Sequence, residues 1–166
     1  MLSRLFNKFD IECDKLGLYK LYTIGDCYVV MSFMDKLKRR SSHEEAKSTI
    51  NLGLKMIEII DDVREKLNID LNMRIGIHTV SLYLLFFKGN IIGGVVGKKI
   101  VRYDIYGVDV VIANKMESNG TSGCVNISES TKKCLDDHPN DFTIRPNKKI
   151  FVKNLGKEIS SYFVNS

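Results

Sequence analysis

Tyr19 to Val30 reads YKLYTIGDCYVV, two runs rich in Tyr, Val and Ile on either side of Gly25-Asp26. β-prone runs broken by a Gly-Asp pair predict two strands over Leu18 to Phe33, folded back as a hairpin with Asp26 at the turn beside a sheet edge. On the N-terminal side, Leu2, Leu5, Phe6, Phe9, Cys13 and Leu16 recur at helical spacing, so Met1 to Leu16 is expected to be the body of an amphipathic helix. No strand precedes it, so the chain is expected to be part of a longer one. On the other side, Asp35 to Ser42 is charged and loop-like, and Glu44 to Leu67 carries Ile50, Leu54, Ile57, Ile60, Val63 and Leu67 on one helical stripe.

Further along, Met73 to Thr79 alternates as a strand, Tyr103 to Tyr106 is a short strand, Val108 to Glu117 a helix and Val125 to Ile127 another strand. Ser128, followed by Glu129, has the chemistry of an N-cap for a helix running to about Asp136, and Phe142 to Val164 reads as short strands. Hairpins interleaved with helices predict an α+β fold of ferredoxin-like kind, one sheet backed by helices, in one domain over residues 1–166. Val80 to Lys88 (VSLYLLFFK) breaks the rhythm. Extended, it would add about 30 Å to a strand that is already complete.

Composition bounds the chemistry without deciding it. A chain of 166 residues with 44% hydrophobic content is the size of a single-core domain. Cys13, Cys27, Cys124 and Cys134 form no CxxC pair, which suits neither a zinc site nor a disulfide framework and points to a reducing compartment. No run approaches the roughly 18 apolar residues of a membrane span, and no basic-then-apolar leader is present, so this segment is expected to be soluble. The net charge of +5 could attract polyphosphate. It comes without aromatics interleaved with basic residues on a strand face, so nucleic acid is not an expected partner.

Alone, Asp26 is a turn former. The specific signal is a series of blocks in order: YKLYTIGDCYVV, then NMRIGIHT (Asn72 to Thr79), GNIIGGVVG (Gly89 to Gly97), RYDIYG (Arg102 to Gly107), ANKMESNG (Ala113 to Gly120) and VNISE (Val125 to Glu129). Together they resemble the catalytic domain of class III adenylyl and guanylyl cyclases, most of all the protozoan membrane guanylyl cyclases. The resemblance covers nearly the whole chain, and Val80 to Lys88 is the part that fits no block and is expected to be a non-family insert. It divides a GIHTG-type block between Thr79 and Gly89 and has the composition of a translated short intron. As protein it is an aggregation-prone stretch.

The resemblance implies a reaction in which a ribose 3′-hydroxyl attacks the α-phosphate of GTP, or of ATP, and pyrophosphate leaves. It implies two divalent ions, Mg²⁺ or Mn²⁺, held by two aspartates. Asp26 matches the second of these, and the first is expected before Met1. It also implies a second cyclase domain as partner, with the parent protein at the cytoplasmic face of a membrane. Where the family places a phosphate-stabilising Asn and Arg on the helix after the RYDIYG-like strand, this chain has Val111 and Lys115, and where a VKGKG-like turn places its second lysine, Leu155. At the two purine-reading positions, typically Glu and Cys for guanine or Lys and Asp for adenine, stand Tyr22 and Asp104. These departures resemble the metal-bearing half of a two-domain cyclase, with Tyr22, Asp104, Val111 and Lys115 in a second, degenerate cleft. The isolated fragment is then expected to be inactive, and a catalytically dead dimerisation module is the rival reading. His78, His43 and His138 are expected to be structural, the latter two in loops.

Overall fold

The computed structural model describes residues 2–32, 40–79, 91–96 and 102–165, and for 91–96 and 102–104 the backbone alone. Val80 to Lys88 lies outside the described residues. Helix α1 (Leu2–Lys15) buries Leu5, Phe9 and Cys13, each one turn from the last, as the stripe requires. Strands β1 (Tyr19–Ile24) and β2 (Cys27–Met31) pair antiparallel with Ile24 opposite Cys27, which leaves Gly25 and Asp26 as a two-residue turn. Gly25 has φ of 60° and Asp26 has no positive φ, the pattern of a type II′ hairpin with glycine first.

Helix α2 (Ser42–Leu67) begins two residues before the expected Glu44. Ser41 is the reason: its hydroxyl accepts from the Glu44 N–H at 3.2 Å while the Glu44 carboxylate accepts from the Ser41 N–H at 2.7 Å, a reciprocal capping box. His43 is therefore in the first turn of a helix and not in a loop, where its Nε2 lies 2.7 Å from Asp141 Oδ2.

The remaining elements are β3 (Ile75–Ile77), β4 (Ile91–Val96), β5 (Arg102–Gly107), α3 (Val108–Ser118), β6 (Val125–Ser128), α4 (Glu129–Lys133), β7 (Thr143–Val152) and β8 (Lys157–Asn165). β3 is shorter than Met73 to Thr79 because its parallel ladder with β6 is three pairs long, Ile75 with Val125 through Ile77 with Ile127. The expected short strands after Phe142 are instead one long hairpin. Pro146, which lacks an N–H, is tolerated because β7 is an edge strand whose register shifts between Pro146 and Lys149. Ser128 caps α4 as expected, accepting from the Thr131 N–H, but the helix stops at Lys133 and single turns follow.

The α+β class holds. Among the described residues, however, the expected single sheet is three hydrogen-bonded groups: β1 with β2, β4 with β5, and β3-β6-β8-β7. The β1–β2 hairpin and the four-stranded group are joined by side-chain packing, which needs no register. Leu5, Phe9, Cys13, Leu52, Met56 and Ile60 of the two helices gather Tyr28 and Val30 of the hairpin and Ile75 of β3 into one core. Ala46 and Ile50, farther up α2, cover Ile77, Val125, Ile127 and Val164 in the next. α2 thus spans two sheet groups from one side.

Candidate active site at the hairpin turn and the α3 face

The hairpin that carries Asp26 is fastened to α1 by one polar cluster. Tyr28 donates to Asp10 Oδ1 at 2.5 Å and the Lys20 ammonium lies 2.8 Å from the same carboxylate, while the Tyr28 ring packs on Phe6 and Phe9, both with centroids at 5.5 Å. Lys20 and Tyr28 hold the Asp10 carboxyl below its usual range against a burial that raises it, and burial together with Asp10 pushes the Tyr28 phenol up. The turn is therefore presented from a fixed base. Asp26 itself is exposed, as a ligand for an incoming cation must be.

Next to it, burial raises the Cys27 thiol, and the charges of Glu117 and Asp26 raise it further, so the hairpin tip lies within the electrostatic reach of the end of α3. Glu117 in turn accepts from Arg74 Nε at 2.9 Å. Hard divalent cations favour several oxygen ligands. Among the described residues no group of three or more His, Cys, Asp or Glu converges to hold an ion, so Asp26 fits as one ligand of a metal and not as a complete site.

The other expected positions lie on different elements. Tyr22 is half-buried on β1 opposite Val29, and Asp104 lies on β5 opposite Gly94. No ladder among the described residues joins their two strands. Val111 and Lys115 are one turn apart on α3 and both half-buried. Val111 packs with Leu155, Val108 and Ile159 around a buried cluster of Ile112, Met116, Ile150 and Val152. The two aliphatic residues at phosphate positions thus belong to the same apolar patch, although 44 residues separate them in sequence.

Sequence reasoning missed what holds α3 in place. Gly76 of β3 touches the helix so closely that a β-carbon there would overlap the backbone of Met116 and Glu117. At the other end of the contact, His78 Nε2 lies 3.0 Å from Asp109 Oδ1 and His78 Nδ1 2.7 Å from Ser128 Oγ, with the imidazole 5% exposed. Burial lowers the His78 pKa, and Asp109 pulls against that. The only signal in the sequence was the presence of a glycine and a histidine in the GIHT block.

The sequence pattern described as the adenylate and guanylate cyclase catalytic domain matches residues 1–166. This chain belongs to that family. As a cyclase domain it is 39% identical over 168 residues to guanylate cyclase alpha of Plasmodium falciparum (isolate 3D7), covering 99% of this chain and 4% of that protein. It is 35% identical over 136 residues to adenylyl cyclase X E of Drosophila melanogaster, covering 82% of this chain and 11% of the other. Among solved structures it resembles the guanylate cyclase domain of RhGC from Catenaria anguillulae in complex with GTP, with a TM-score of 0.79 and 26% identity over 99% of this chain and 81% of that one. The cyclase domain is thus a small part of the length of the curated relatives it matches. No described helix is long and apolar enough to cross a membrane.

Proposed function

We propose that this cyclase domain is the metal-bearing half of a two-domain guanylate cyclase, in which it helps convert GTP to cyclic GMP and pyrophosphate. The observation that carries this reading is the contrast between an exposed carboxylate, Asp26, kept on a braced turn and an apolar cluster where phosphate-stabilising groups are expected. A wall of Val111 and Leu155 offers no hydrogen bond to a phosphate, whereas a solvent-facing aspartate on a fixed hairpin serves a cation. Two clefts form between two like domains, and they need not both work.

In the productive cleft the 3′-hydroxyl loses its proton and forms a bond to the α-phosphorus, and the bond from that phosphorus to the bridging oxygen of pyrophosphate breaks. Asp26 would hold Mg²⁺ or Mn²⁺ there, which supplies charge stabilisation for the attacking and leaving oxygens. The Asp10, Lys20 and Tyr28 cluster braces the hairpin that carries that carboxylate, which limits the backbone ordering left for substrate binding. The second cyclase domain would contribute the base pocket and the phosphate-stabilising groups.

GTP is favoured over ATP because the 39% likeness to the Plasmodium falciparum guanylate cyclase extends over 99% of the chain, and a guanylate cyclase of Toxoplasma gondii matches to the same degree. An adenylyl cyclase half is the second reading, since Asp104 has the adenine-type residue. The parent would act at the cytoplasmic face of a membrane, with the membrane contact made by other parts of that protein.

The test is Asp26→Ala in the intact parent, assayed for cyclic GMP. Losing a ligand of the catalytic ions should cost about 3 kcal/mol or more of transition-state stabilisation, on the order of 100-fold in turnover. Near-normal turnover would instead identify the domain as a regulatory dimerisation module.

A further inference from the structure

We propose that His78 is a positioning residue: its imidazole fastens the first turn of α3, and with it the face carrying Val111 and Lys115, to the end of β3. The fastening itself stands on the geometry, and only its consequence for the cleft rests on the function proposed above.

The N-terminus of α3 lacks the usual device. Gly107 is at its N-cap and, having no side chain, supplies no cap hydrogen bond to the first N–H groups of the helix. Asp109, in the first turn, is oriented to His78. A carboxylate can only accept, so Nε2 carries a proton, and in the neutral ring that burial favours Nδ1 accepts from the Ser128 hydroxyl at 2.7 Å. Ser128 Oγ also accepts from the Thr131 N–H at 3.3 Å and thereby caps α4. One neutral imidazole therefore ties β3, α3 and the β6-to-α4 junction together through both its nitrogens, with side-chain exposures of 5% for His78 and 14% for Asp109.

Among the described residues, a further polar tie, from Arg74 just before β3, is at the far end of the helix. The Arg74–Glu117 pair has exposures of 50% and 41%, where an ion pair contributes little. The close contact at Gly76 is also with Met116 and Glu117. Both hold the last turns of α3 and leave the first turn to Asp109 and to aliphatic packing. Because a hydrogen bond is directional and aliphatic packing is not, the direction of the first turn is set by the bond from His78 to the half-buried Asp109 carboxylate.

The two contacts can be separated by reach. A glutamine amide extends to the position of Nε2, so His78→Gln can still donate to Asp109 while losing Ser128. An asparagine amide stops near the position of Nδ1, so His78→Asn can still accept from Ser128 while losing Asp109. Hydrogen exchange on the 166-residue chain reads both ends at once. In His78→Asn the amides of Val111 to Ala113 should exchange about tenfold or more faster than in the wild type, and in His78→Gln within about threefold of it. The Thr131 amide should show the opposite order. Asp109→Asn keeps an acceptor and should keep α3 protected, whereas Asp109→Leu should not.

Equal effects of Asn and Gln on α3, or none, would overturn the assignment and leave His78 a buried histidine that merely satisfies its neighbours. In the parent protein the same order is expected in cyclic GMP turnover, Gln retained and Asn reduced. Ordered exchange without ordered turnover would overturn the link to the cleft. Because exchange is read without substrate, failure of the clamp is distinguishable from failure of the cyclase assignment, which Asp26→Ala tests.

Discussion

Tyr22 and Asp104 are expected, from the family resemblance, at the purine-reading positions, yet they match neither base pattern together, and no strand ladder joins them among the described residues. A residue that truly reads a base loses about 1 to 3 kcal/mol when its hydrogen bond is broken. If both face the degenerate cleft, Tyr22→Glu or Asp104→Cys in the parent should alter the GTP to ATP preference by less than about threefold, well below the tenfold that ~1.4 kcal/mol brings. A tenfold switch measured in competition would place the purine in this domain. His78 makes a different statement. Its pKa is lowered on folding, chiefly by burial, so below the ordinary histidine value of about 6.5 the unfolded chain binds the extra proton more readily. Stability is full above that value and is lost as pH falls through it. Thermal unfolding at pH about 7 and about 5.5 should show a drop in Tm that is smaller in His78→Gln, and equal drops would show that His78 does not carry the dependence.

Between residue and molecule, the informative element is α3. The sequence identified it within one residue of its end, and Val111 and Lys115 were legible as departures from a family pattern. What was not legible is that Val111 and Leu155, 44 residues apart, belong to one cluster with Ile112, Met116, Ile150 and Val152. A departure in isolation reads as loss of a function, whereas two that pack together read as an apolar seam maintained for its own stability. Val111→Asn should therefore cost about 1 to 3 kcal/mol, because the half-buried amide gains no partner in an aliphatic setting. Denaturant titration measures this. An unchanged midpoint would mean that the amide finds a partner and that the site is still polar. The turn of the β1–β2 hairpin was readable to the residue, because a Gly-Asp pair between apolar runs has few alternatives, while the strands are shorter than the expected Leu18 to Phe33. The ten-residue β7 was not, since Pro146 inside a strand argues for a break and only its edge position and the register shift absorb it.

At the scale of the whole molecule, the half-site proposed above has an exposed Asp26, no cluster of three metal-ligating groups among the described residues and an apolar patch on α3. The chain alone should form no measurable cyclic nucleotide from GTP or ATP with Mn²⁺, and activity should require a second cyclase domain. Robust metal-dependent turnover by the purified chain would sink the half-site reading. The sequence by itself determined the α+β class, the hairpin with Asp26 at its tip, the helical stripes and the membership of the cyclase family. These are local matters: a strand alternates, a helix repeats and a turn needs glycine within a few residues of itself. The tertiary structure alone decided that the strands form three hydrogen-bonded groups, that Leu155 backs Val111 and that His78 reaches both Asp109 and Ser128. Each of those is a contact between segments 31 to 50 residues apart or an arrangement of whole ladders, and no periodicity along the chain records which distant side chain will fill a given space.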